Sequence, residues 1–228
     1  QTLFAAKHLL EHFKDTPLYE EISNIIDFLT ETSLEIDSTF LKRVTLSPVP
    51  KFLVDKNLIA EIYRALQENA IIEFDYSGRW NQEISHRKVH PYQLILEDGK
   101  YFLYGYSEER SDVRIFSLGN MKNLLVTKET FTLPKDFEFQ NRSGGGFFGT
   151  FASNLKDEYK IEFYENAREM VKSCLWAENQ VIEDDENRKC TTITFTSTQT
   201  SKVEEWVLAQ GMYAKPLAPK WLVDSWKE

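Results

Sequence analysis

Ala70-Ile71-Ile72-Glu73-Phe74-Asp75-Tyr76-Ser77-Gly78 is the stretch where the hydrophobic period of this chain changes. From Ala70 onward apolar residues recur at every second position, which places Ile72, Phe74 and Tyr76 on one face of a strand. Ser77-Gly78 supplies the turn chemistry that ends it. Before this stretch the apolar spacing is three and four, the spacing of helices. The fold is therefore expected to pass from helices to a sheet at Ala70.

Working upstream, residues 1–13 read as an amphipathic helix with Leu3, Ala6, Leu10 and Phe13 on one side. Thr16-Pro17 opens a second helix, because Thr suits the N-cap, Pro the first helical position, and Glu20 and Glu21 the positive helix end. Its apolar stripe is Leu18, Ile22, Ile25, Ile26 and Leu29. Residues 32–53, with Pro48 and Pro50, read as an extended connector. Asp55 is a candidate N-cap for a third helix with Leu58, Ile62 and Leu66 facing inward. A chain that opens on Gln1 in helical periodicity, where a frayed polar start is more usual, leads us to expect that a segment has been removed upstream.

Working downstream, Ile84 to Pro91 reads as a strand, and Gln93 to Glu97 as another or as its continuation past a proline kink. Asp98-Gly99 is the strongest hairpin signal in the chain. Tyr101–Tyr106, Val113–Leu118 and Met121–Thr127 follow as short strands. Five short strands with tight turns and no interleaved helix predict a small antiparallel barrel.

Ser143-Gly144-Gly145-Gly146 then marks a flexible linker over 141–157. It lacks the Lys-Ser or Lys-Thr of a phosphate loop. Beyond it the order is strand (159–164), helix (166–174), strands (179–183 and 191–196), helix (201–209) and strand (212–217). This β-α-β-β-α-β order is that of a ferredoxin-like module. Ser201 with Glu204 forms a capping-box pattern, Gly211 is placed at the helix exit, and Pro219–Trp226 closes the chain as a helix. The class is α+β: N-terminal helices, an antiparallel barrel, then the ferredoxin-like module.

Composition narrows the function. A formal net charge of −9 speaks against gripping duplex DNA with this chain, since that rests on phosphate neutralisation by Lys and Arg. No apolar run approaches the roughly 20 residues of a membrane span, and no signal peptide is visible. The two cysteines, Cys174 and Cys190, are too few for a disulfide framework, so a reducing, cytoplasmic setting is expected.

Strand parity singles out two arginines. Arg87 shares a face with Val89 and Pro91, and Arg114 with Phe116 and Leu118. An arginine among apolar neighbours needs a carboxylate, backbone carbonyls or a bound anion. With Tyr76 on the neighbouring strand, the two would form an anion-reading pocket, the guanidinium fork suiting phosphate or carboxylate. The alternative is internal pairing with Glu73, Asp75 or Asp112. His86 and His90 lie on the opposite parity, as ligand donors at the barrel mouth or as exposed strand residues. His8 and His12 have i, i+4 spacing without a third ligand, so no metal site is expected. Tyr92, Tyr101, Phe102, Tyr104 and Tyr106 crowd the central hairpin, as core or as a stacking wall.

The spaced set of Ile72 to Tyr76, Arg87 before Pro91, Tyr101-Phe102-Leu103 and Arg114-Ile115-Phe116-Ser117-Leu118 resembles a WYL domain, a bacterial module named for a Trp-Tyr-Leu tripeptide that reads Tyr-Phe-Leu here. The resemblance implies an Sm/SH3-like barrel at 55–140, a helical linker and dimerisation region at 1–54, and a C-terminal extension at 158–228 after the 141–157 linker. It also implies the sensing part of a transcription regulator rather than an enzyme. In the family a winged helix-turn-helix precedes these parts, and duplex DNA would be met only through it. The matching positions, Tyr76, Arg87 and Arg114, line a basic pocket for nucleotides or single-stranded nucleic acid, and His90 is added as a fourth candidate ligand residue. The family's acidic-basic pair after Leu118 is replaced by Gly119-Asn120. No cofactor is expected. A homodimer is, and the competing reading is a ligand-free dimerisation scaffold.

Catalytic motifs are missing: there is no Gly-x-Ser-x-Gly, His-Glu-x-x-His or Cys-x-x-Cys, and acidic runs such as Glu183 to Glu186 read as solvated turns.

Overall fold

The structure is a computed structural model, and it describes residues 10, 17–31, 53–78, 83–135, 147–151 and 155–228. The chain divides into two compact units, Gln1–Lys135 and Asp136–Glu228. The expectations for helix 1–13, for the connector and for Ser143 to Gly146 fall largely or wholly outside the described residues.

In the first unit, helix α1 spans Pro17–Glu31 and helix α2 spans Lys56–Glu68. Asp55 caps α2, its carboxylate accepting the Asn57 N–H at 2.9 Å, and Asn69 closes it in the left-handed conformation. Then come β1 (Ala70–Ser77), β2 (Ile84–Glu97), β3 (Lys100–Ser107), a 3₁₀ turn (Glu108–Arg110), β4 (Asp112–Ser117), a second 3₁₀ turn (Leu118–Asn120) and β5 (Met121–Thr130). The strands form one antiparallel sheet in the order β4-β3-β2-β1-β5. Among the described residues β4 and β5 are its two edges and do not pair, so the sheet is open where a closed barrel was expected.

Two details follow from local chemistry. Asp98 and Gly99 both have positive φ, 50° and 76°, the conformation that a two-residue hairpin with the native strand twist requires. Pro91 does not end its strand. β2 continues to Glu97, and the ladder to β3 absorbs the missing N–H with a register shift between Pro91 and Gln93.

The core is built where parity puts it. Ile72, Phe74, Val89, Leu103, Phe116 and Leu118 are buried against Ile59, Ile62 and Ala65 of α2. The helix is rotated slightly from the expected stripe, with Leu58 and Leu66 on the margins. Tyr101 and Leu103 of the tripeptide are core residues, while Phe102 takes the other face of the strand.

The second unit contains β6 (Asp157–Tyr164), α3 (Ala167–Lys172), β7 (Val181–Asp185), β8 (Cys190–Ser197), α4 (Thr200–Ala209), a 3₁₀ turn (Gly211–Tyr213), β9 (Ala214–Ala218) and α5 (Lys220–Lys227). Its antiparallel sheet runs β7-β8-β6-β9. Tyr159, Ile161, Phe163, Ile193 and Phe195 pack against Val171, Val203, Val207 and Leu222 of the helices. The capping box expected at Ser201 is not formed. Helix α4 begins at Thr200 with Gln199 in the cap position, and Glu204 instead accepts from the Ser225 hydroxyl at 2.5 Å.

Candidate functional site

Strand β1 carries Tyr76 at its end, β2 carries Arg87, and β4 carries Arg114. The register pairs Phe74 with Arg87 and Gly105 with Arg114, so the two arginines sit on the strands either side of β3. All three side chains open onto one cleft of about 470 Å³. A third guanidinium, that of Arg110 from the 3₁₀ turn after β3, also lines it. Ser85 and Ser107 also line it, their hydroxyls donating to the Tyr76 carbonyl and to Glu109, with Ile84, Ile115 and Phe116 as an apolar wall and Glu83 as the one carboxylate among the described lining residues.

The partners of these groups differ. Arg114 is half exposed and held by its strand neighbour Asp112, and it also donates to the Val113 carbonyl at 3.0 Å. Arg87 donates to the His86 carbonyl at 3.4 Å. Among the described residues neither Arg87 nor Arg110 has a carboxylate at ion-pair distance. Tyr76 packs edge-on against Phe74 and Phe116, and its hydroxyl accepts the Ser117 N–H at 3.2 Å. That leaves the phenolic proton available to the cleft.

Glu109 lies behind this arrangement. Its carboxylate accepts the Lys88 N–H at 2.6 Å and the Ser107 hydroxyl at 2.9 Å. Burial pushes the Glu109 carboxyl up, but hydrogen bonds from its own N–H, the Lys88 N–H and Ser107, with the Arg87 charge, outweigh it and leave the group below its ordinary value.

His90 is not among the cleft residues. It stacks on Phe131 with centroids 5.1 Å apart and meets Glu108 at 3.0 Å. The parity that separated it from Arg87 in the sequence sends it to the other face. His86, also on that parity, sits 3.2 Å from Asp75. The hydrogen bond to Asp75, against some desolvation, raises the His86 pKa, and those to Asn123 and His86 lower that of Asp75. Arg110 escaped sequence reading because it lies in a turn, where no period assigns a direction. Its only signal was a basic residue between Tyr106 and Arg114. Among the described residues no group of three His, Cys, Asp or Glu is placed to hold a metal.

The WYL domain model matches residues 57–126, from α2 into β5. Over 83 residues the chain is 32% identical to the uncharacterized HTH-type transcriptional regulator YobV of Bacillus subtilis (strain 168), a match covering 36% of this chain and 26% of that protein. Two solved structures are similar. One is the proteasome accessory factor B/C (PafBC) of Arthrobacter aurescens, with a TM-score of 0.40 and 18% identity over 80% of this chain and 28% of that one. The other is a CRISPR Cas-related protein, with a TM-score of 0.47 and 14% identity over 75% and 49%. The matches span less than half of each of these proteins. With the motif residues in their places on β1 to β4, residues 57–126 are similar to a WYL domain.

Proposed function

We propose that this chain is the ligand-sensing and oligomerisation portion of a cytoplasmic bacterial transcriptional regulator, without catalytic activity of its own. The ligand is an anion of nucleotide type, or a short single-stranded nucleic acid, held in the cleft by Tyr76, Arg87 and Arg114. The observation that carries this reading is the convergence of Arg87, Arg110 and Arg114 on one cleft with a single carboxylate, Glu83, among the described lining residues, in a protein whose net charge is −9. Guanidiniums gathered on one cleft repel one another, an anion between them relieves that repulsion, and guanidinium forks fit phosphate. His90 is not part of this proposal, since it contacts Glu108 and Phe131 instead.

A regulator of this kind works only if the ligand prefers one of two arrangements of the protein. The region 1–54 relays that preference between the copies of a homodimer to a DNA-binding domain, in keeping with the HTH-type name of the Bacillus relative. Duplex DNA is met there and not by this chain. The strand order β7-β8-β6-β9 supports a ferredoxin-like reading of the C-terminal extension, residues 158–228. No helix among the described residues is long and apolar enough to cross a membrane.

The test is a calorimetric screen of nucleoside phosphates and short single-stranded oligonucleotides against the wild-type chain and the Arg87→Ala, Arg114→Ala double variant. At least one anion should bind the wild type and lose at least about tenfold in affinity with the double variant. A second reading, a ligand-free dimerisation scaffold, draws on the pairing of Arg114 with Asp112. It predicts that no anion distinguishes the two proteins.

A further inference from the structure

We propose that the principal anion-binding pair of the cleft is Arg87 with Arg110, not Arg87 with Arg114, and that Glu109 is the positioning residue that holds Arg110 in place. This rests on the anion-sensing reading above and adds which groups carry the contact.

The three arginines differ in the partners that compete for them. Arg114 already has Asp112 and the Val113 carbonyl, both within its own strand, so an incoming anion must displace or share them. Arg87 donates to the His86 carbonyl at 3.4 Å, and among the described residues it has no carboxylate at ion-pair distance, although its charge reaches Glu109. Arg110 follows two glutamates, and its charge would ordinarily be cancelled by one of them. In this fold both carboxylates are engaged elsewhere. Glu108 meets His90 at 3.0 Å, with the Lys88 ammonium 3.9 Å away. Glu109 takes the Lys88 N–H and the Ser107 hydroxyl. Ser107 is fully buried and pairs with Val89 at the end of the β2–β3 ladder, so Lys88 is the next residue beyond that ladder. The Glu109 side chain thus substitutes for the next rung and fixes the turn that carries Arg110.

Two guanidiniums with no carboxylate at ion-pair distance among the described residues, presented from a strand and from a pinned turn, suit a ligand with at least two negative charges, such as a polyphosphate or adjacent backbone phosphates. Glu109 is itself negative and close to this site. If it acted only through its charge, removing it would strengthen anion binding. If it acts by holding the turn, removing its acceptor oxygens weakens binding, and glutamine, which keeps one carbonyl acceptor for the Lys88 N–H, restores it.

The experiment measures binding of adenosine triphosphate by calorimetry, and of fluorescein-labelled pentathymidylate by anisotropy, to the full chain. The variants are Arg87→Ala, Arg110→Ala, Arg114→Ala, Glu109→Ala and Glu109→Gln, with Arg64→Ala as a charge control and a thermal melt on each protein. Arg87→Ala and Arg110→Ala should each weaken at least one probe by about tenfold, and Arg114→Ala by less. Glu109→Ala should weaken binding and Glu109→Gln should match or exceed the wild type. If neither probe binds the wild type, the anion-sensing reading falls and this inference with it. If a probe binds and Arg110→Ala is as tight as wild type, or Arg114→Ala is the weakest of the three, only the pair assignment is overturned. Tighter binding by Glu109→Ala overturns the positioning role, and Arg64→Ala losing as much as Arg110→Ala overturns any site-specific role.

Discussion

The Tyr76 hydroxyl accepts a hydrogen bond from the Ser117 backbone N–H at 3.2 Å, tying the end of β1 to the end of β4 across the cleft. These strands are not neighbours in the sheet, so the contact is a strut between the walls that hold Arg87 and Arg114. Tyr76→Phe keeps the ring contacts with Phe74 and Phe116 but leaves that N–H without its acceptor. The expected cost is about 1 kcal/mol, read as a lower urea midpoint with an unchanged slope. An unchanged midpoint would show that the strut contributes nothing to stability.

Gly105 is set by β3 crossing close to β2. A Cβ there would lie 2.5 Å from the His90 carbonyl oxygen and 2.8 Å from Val89 Cγ1. The first neighbour is backbone and cannot rotate away. Gly105→Ala is therefore expected to destabilise the first unit by about 2 kcal/mol or more, monitored by denaturation. A wild-type melting curve for this variant would contradict the close approach.

His86 and Asp75 give a pH signature with a defined sign. The hydrogen bond that His86 donates to the Asp75 carboxylate raises the folded-state pKa of His86 above its ordinary 6.5, so its contribution is fully present below that value and is lost as pH rises through the raised one. Comparing melting temperatures of wild type and His86→Ala, the gap should be larger near about pH 5.5 than near about pH 8.5. His86 is exposed and Asp75 partly so, so the gap is small and should shrink further with added salt. A gap that grows with pH would reverse the assignment.

In the second unit, Phe148 packs among Trp176, Phe195 and Trp206, with ring centroids 5.9, 5.3 and 5.1 Å away. Its N–H donates to the Gln199 side-chain oxygen at 3.1 Å, and Gln199 donates back to the Gly149 carbonyl. Phe148→Ala should cost about 2 kcal/mol, less than a fully buried phenylalanine because the ring is half-buried. It should also shift tryptophan emission to the red as Trp176 and Trp206 gain water. Unchanged emission would mean that Phe148 does not cover them.

Much of the frame was legible because strand alternation is a local property. Ile72, Phe74, Val89, Leu103 and Phe116 follow from period two alone, and the Asp98-Gly99 turn from the positive φ its residues tolerate. Parity also put Tyr76, Arg87 and Arg114 toward one cleft and sent His90 away from Arg87. The extent of β2 was less legible, since whether a proline ends a strand depends on whether the partner strand can shift its register around it.

The sequence by itself determined which side chains face the core and that two arginines would share a face with it. Only the tertiary structure decided which charges are already matched. Asp112 takes Arg114, His90 and Lys88 engage Glu108, and the Lys88 N–H and Ser107 engage Glu109, leaving Arg110 free of its two acidic neighbours. The reason is physical: periodicity sets the direction of a side chain within an element, whereas the partner of a charge in a turn is set by whichever donor the fold brings beside it.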